Sequence, residues 1–121
     1  MKILFVLTTL SLLITAQGPS TTEHRAWIDA QQREAMLTIR GKFANHSAQS
    51  ASFRYELVTT KQGPSGRSSS TQAGSFTAPP QQEVSLSNTT VNVAQEDTYV
   101  IELKVFRDGT VYLHDKIEYQ G

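Results

Sequence analysis

An all-β chain, folded as a seven-stranded immunoglobulin-like β-sandwich with no disulfide, is what the residue pattern implies. From His24 onward apolar and polar residues alternate with period two, and no helical period interrupts them. Turn signals recur at short intervals between the alternating runs, as they do in two-sheet sandwiches. Cysteine is absent, so packing alone must hold a domain of a size that in other exported proteins often carries crosslinks.

The alternation begins after a leader. Lys2, the apolar run "ILFVLTTLSLLI" and the small residues Thr15-Ala16 form the three regions of a secretory signal peptide. The run is short of the roughly 20 apolar residues a membrane-spanning helix needs. The expected divisions are therefore 1–16 as a cleaved leader, 17–23 as a polar arm and 24–121 as the sandwich.

The first strand is "HRAWIDA", with Trp27 and Asp29 on one face and Ala26 and Ile28 on the other; "QQRE" reads as a turn. In "AMLTIRGKFAN" Leu37, Ile39, Gly41 and Phe43 share a face opposite Thr38, Arg40 and Lys42. "HSAQS" turns the chain into "SFRYELVT", where Phe53, Tyr55 and Leu57 point inward and Arg54, Glu56 and Val58 outward. The polar stretch "TTKQGPSGRSSSTQAG" then reads as a bend, its Gly and Pro setting the turn and its Ser, Thr and Gln solvating it. "GSFTA" is a short fourth strand that stops at Pro79-Pro80.

"EVSLSNTTVNVA" supplies the fifth strand, with Val84 and Leu86 and then Val91 and Val93 as its apolar positions. In "TYVIELKVF" Tyr99, Ile101, Leu103 and Val105 face inward and Val100, Glu102, Lys104 and Phe106 outward. Asp108-Gly109 is the chain's strongest hairpin signal. It leads into "VYLHDKIEY", with Val111, Leu113 and Ile117 expected inward and Tyr112, His114 and Lys116 outward. Tyr99 has two readings, a tyrosine corner at the mouth of the sixth strand or a plain β-former there. Trp27 on the first strand, and Ile101 where a second cysteine would stand, separate the chain from antibody-type domains.

Chemistry is sparse. His24, His46 and His114 have no metal-ligand spacing and read as solvated surface residues. The chain shows no G-x-S-x-G elbow, P-loop or H-E-x-x-H. "GPSGRSSS" lacks the Lys-Ser/Thr ending of a phosphate loop and no helix follows it. The expectation is no enzyme, no cofactor and no metal. Eleven basic and eleven acidic residues balance, and losing Lys2 with the leader leaves a net charge of about −1, which calls for neither nucleic acid nor an anionic membrane. What remains is a surface. If the third, sixth and seventh strands share a sheet, its outward face carries Arg54, Lys104, Lys116, Phe106 and Tyr112. Such a mix of cations and aromatics suits an extended polypeptide, but plain β-propensity with charge for solubility is the simpler account from pattern alone.

The run from "TKQGPSGRSSSTQAGSFTAPPQQEVSLSNTTVNV" to "YVIELKVFRDGTVYLHDKI" resembles the curli-associated CsgC/CsgH family. The resemblance covers residues 27–117 and rests on Gly63-x-Ser65-Gly66-x-Ser68, the Phe76 strand ending at proline, "VSLSNTTVNV" and the Asp108-Gly109 hairpin. The lack of cysteine and the "RAWIDA" start look more like the CsgH branch. Where part of the family has Cys-x-Cys, this chain has Ala51-Ser52-Phe53, so no redox role carries over. The resemblance implies an immunoglobulin-like sandwich in the Gram-negative periplasm that keeps the curli amyloid subunit from polymerising early. It implies a basic partner-binding patch, which maps here onto Arg54 with its neighbours Lys104 and Lys116. The expected protein is a monomer that binds unfolded or early oligomeric client transiently, with charged strands that guard its own edges. The competing class is an exported structural, adhesive or carbohydrate-binding module, the last hinted at by Trp27, Tyr112 and Phe106.

Overall fold

The computed structural model describes residues 23–121; the expected leader and nearly all of the expected arm lie outside the described residues. The strands are β1 (His24–Arg33), β2 (Met36–Asn45), β3 (Ala51–Gly63), β4 (Gly66–Ala78), β5 (Gln82–Asn92), β6 (Thr98–Arg107) and β7 (Thr110–Gln120). They form two antiparallel sheets, β1-β2-β5 and β4-β3-β6-β7. The third, sixth and seventh strands share a sheet as expected, and β4 extends it beside β3. In the alternative immunoglobulin arrangement the fourth strand joins the other sheet. Here Gly63 pairs with Gly66 across Pro64-Ser65, and a hairpin that tight keeps β4 next to β3.

Inward residues of both sheets make one core. Leu37, Ile39, Phe43, Ile101, Leu103 and Val105 are fully enclosed, with Phe53, Leu57 and Leu113 nearly so. Tyr55, Phe76 and Ile117 pack at its margin, half-buried. Each buried aliphatic or aromatic side chain contributes roughly 1.5–3 kcal/mol before chain entropy is set against it, which is how the domain can do without a crosslink. On β1, where the pattern left the two faces unassigned, Ala26 and Ile28 are the residues that face inward.

Several local expectations change. Residues 31–33 are not a turn: they pair with β2, and the reversal is at Glu34-Ala35, with Glu34 at φ 56°. The polar stretch at 59–74 is not a loose bend but a long hairpin, with β3 and β4 in register from Ala51↔Ala78 to Gly63↔Gly66. A backbone ladder needs no apolar side chain, so composition concealed it. β6 supports the same segment, pairing Gln62 with Thr98. Lys61 reaches the buried Asp97 at 3.7 Å, and a Cβ on Gly63 would fall 1.9 Å from the Asp97 carboxylate. Glycine is therefore required there.

Two bulges shift the phase of the alternation. Gly41 pairs with Ser87 and Lys42 with Ser85, so Leu86 is the extra residue and the inward positions of β5 pass from even to odd. That is why Val84 and Val91 both reach the core. In the β6–β7 ladder Val105 pairs with Leu113 and Phe106 with Val111. Tyr112 is extra there. It turns inward onto Phe53 with ring centroids 5.7 Å apart, while Val111 comes outward, 47% exposed. Both expectations for this pair are thus reversed.

His24 is also reversed. It is buried rather than solvated, packed among Phe43, Phe53 and Tyr112 at 5.2–5.7 Å, with Nδ1 2.7 Å from the Tyr112 hydroxyl. Burial, then the Arg107 charge, holds its pKa below the ordinary imidazole value. Tyr99 resolves as a tyrosine corner: it is buried and its hydroxyl donates to the Asn92 carbonyl. Burial, then Asp97, pushes its phenol pKa up, which keeps the donor protonated. Asn45 is buried too, donating to the carbonyls of Gln49 and Ala78 and accepting from Ser47.

Candidate functional site

Strand register decides which outward residues meet. Across the outer face of the four-stranded sheet, Ser75, Arg54, Phe106 and Val111 form one row. The next row is Ala73, Glu56, Lys104 and His114, and the one after it Thr71, Val58, Glu102 and Lys116. Residues opposite each other on one sheet face lie about 5 Å apart at Cβ. Four of the five expected site residues, Arg54, Lys104, Lys116 and Phe106, are thus neighbours on one surface. Tyr112 is not; the bulge takes it into the core.

The face is amphoteric rather than simply basic. Lys104 lies between Glu56 and His114, and Lys116 lies opposite Glu102. His114 Nε2 is 2.6 Å from a Glu102 carboxylate oxygen. That hydrogen bond is the main reason the Glu102 carboxyl sits below its usual range, with Lys104 and Lys116 adding to it. Arg54 has no acidic residue directly across from it; its neighbours in the row are Ser75 and Phe106. An open depression of about 740 Å³ occupies this end of the face, lined by Ser52, Arg54, Glu56, Ser75, Phe106 and Asp108 among others. Its chemistry is an accessible cation, two carboxylates, the rings of Phe53, Phe76 and Phe106, and small hydroxyls.

Sequence reasoning missed Arg107. Its guanidinium stacks on Tyr112 at 4.8 Å and Phe53 at 5.5 Å, beside the His24 cluster. The unseen bulge is what brings Tyr112 within its reach, beside the already inward Phe53. The aromatic trio does not form a platform. Trp27 lies on the outer face of the other sheet with Arg25 stacked on it at 4.4 Å, Phe106 is on the four-stranded face, and Tyr112 is in the core. Among the described residues, no three His, Cys, Asp or Glu side chains gather where they could hold a metal ion.

The family model of the CsgH protein matches residues 25–116. Two solved structures share the fold. The solution structure of R. palustris CsgH has a TM-score of 0.59 and 22% identity, over 80% of this chain and 91% of that one. The E. coli curli protein CsgC has a TM-score of 0.62 and 24% identity, over 79% of this chain and 97% of that one. No curated protein sequence matches.

Proposed function

This chain belongs to the CsgH family, and on that premise we propose that it is a periplasmic, ATP-free inhibitor of curli assembly. A monomer binds unfolded or early oligomeric curli subunit transiently and lowers the population able to nucleate. The leader directs it across the inner membrane and is then removed. The observation that carries the reading is family membership over the whole sandwich, together with the CsgC neighbour's being a curli protein. The outer face supports it. Arg54 and Phe106 sit side by side above an open depression, with Lys104 and Lys116 in the next rows. Exposed Arg beside an aromatic ring can stack on peptide groups and rings of a passing chain, and mixed charges steer encounter without holding it tightly.

The test is thioflavin-T kinetics of the curli subunit with this protein at sub-stoichiometric dose. A lengthened lag is expected, and Arg54→Glu with Lys104→Glu should shorten that delay. Absence of any delay by the unaltered protein overturns the reading. Delay by the double variant equal to that of the unaltered protein moves the contact off this face.

A further inference from the structure

Among the described residues the two sheets have four free edges, and three are protected. β1 carries Arg25, Asp29 and Arg33 along its length, and the Asp115 carboxylate accepts from the Ile28 backbone N–H at 2.9 Å. β7 carries His114, Asp115, Lys116 and Glu118 and is bulged at Tyr112. β5 is broken by the Leu86 bulge and carries Glu83. Charge and bulges are the ordinary means of preventing another chain from adding to a sheet edge.

Beyond Arg67 at its start, β4 has none of them. Residues 68–78 contain no charge and no proline. The β3–β4 register runs without a shift from end to end. Antiparallel pairing with β3 leaves alternate N–H and C=O groups of β4 directed away from the sheet. The outer-face side chains Ser69, Thr71, Ala73 and Ser75 are all small; on the inner face Ser70 and Gly74 are small, while Gln72 and Phe76 turn toward the other sheet. A second backbone can approach closely.

We propose that the open edge of β4 is a strand-docking site for an extended, uncharged segment of small and polar residues. The choice of occupant follows from charge and shape. Residues 68–78 offer no counter-charge to an acidic or basic strand, and the depression beside Phe76 and Phe106 meets β4 only at Ser75–Thr77, so along 68–74 affinity comes from main-chain hydrogen bonds. This deepens and rests on the curli reading, whose client must be captured as an extended polar chain. It also supplies a mechanism. Cross-β growth uses both edges of every strand, and a segment paired with β4 has one edge withheld. The cationic row lies alongside, since Arg54 on β3 is directly across from Ser75 on β4.

Two measurements test the proposal on the full protein. In hydrogen exchange with unpolymerised curli subunit, alternate amides of residues 68–77 should slow by about fivefold or more, the effect of one net hydrogen bond, while β5 amides do not change. In thioflavin-T kinetics the charge-neutral pair Thr71→Lys with Ala73→Glu should abolish most of the lag extension. The matching pair Asn88→Lys with Thr90→Glu on β5 should keep it. If the unaltered protein delays polymerisation but its β4 amides stay unprotected, edge docking is wrong and the curli reading stands. Equal delay by a folded β4 variant has the same meaning. Protection of β4 that rises with the protein's own concentration, without subunit, identifies a second copy as the occupant and overturns the proposal. If the unaltered protein causes no delay, the curli reading itself fails.

Discussion

β7 and β4 bound the same four-stranded sheet and differ in almost every property. β7 is bulged, charged and tied to the opposite sheet: Asp115 reaches the Ile28 N–H, Tyr112 meets His24, and the Tyr119 hydroxyl donates to the Gln32 side chain. β4 is regular and uncharged from Ser68 onward, and its side-chain tie to the other sheet is Gln72 with Thr89. The aromatic cluster of His24, Phe43, Phe53 and Tyr112 joins β7 to the opposite sheet and continues to Phe76 of β4. Polar cross-sheet ties are thus most numerous along the β7 seam, and the accessible backbone lies along β4. The two requirements conflict locally, because an edge tied down by cross-sheet bonds cannot accept a new strand.

The largest effect is expected in the aromatic core that lies between the two edges. Phe53→Ala removes a ring that touches His24, Phe43, Phe76 and Tyr112 and should cost about 3–5 kcal/mol in denaturant unfolding. Thr71→Ala on β4 should stay within about 0.5 kcal/mol. Similar losses at both positions would show that the β4 edge is held as firmly as the core. Asp115→Ala is milder: it should cost about 1 kcal/mol and speed exchange at the Ile28 amide several-fold. An unchanged Ile28 amide would mean the carboxylate does not cap that edge.

Acid sharpens the comparison with the smallest effect. Burial, then Arg107, lowers the His24 pKa, His46 lowers it further, and Glu23 opposes them. The unfolded chain therefore binds a proton at His24 at higher pH than the native chain does. Stability from this group is fully present above the ordinary value of 6.5 and declines as pH falls from there toward the depressed native value. Unfolding midpoints measured between pH 8 and pH 5 should fall with acid, and His24→Phe should flatten the slope. The same slope in the variant would assign the loss to other groups.

Strict alternation made β2, β3 and β6 legible, because a strand with one face on the core and one in water must carry period two. Tyr99 was legible only as one of two readings, and its bond to the Asn92 carbonyl decided for the corner. The stretch 59–74 was not legible as strand, since its ladder is made of backbone groups that every sequence possesses. Tyr112 was misplaced for a different reason. One extra residue changes the phase between the two sides of it, so Val111 and Tyr112 trade faces while Leu113, Lys116 and Ile117 keep theirs, and nothing in "VYLHDKIEY" marks which residue is extra. Arg54, Lys104, Lys116 and Phe106 were legible as a group because their faces follow from unbulged alternation.

Local pattern alone therefore determined an all-β chain, its seven segments and most of the core, because side-chain polarity records which face meets water. Pairing partners, bulges and edges were decided only in three dimensions. A hydrogen-bond ladder depends on the neighbouring strand, and whether β4 has a neighbour on its far side is a property of sheet order, which its own residues do not encode.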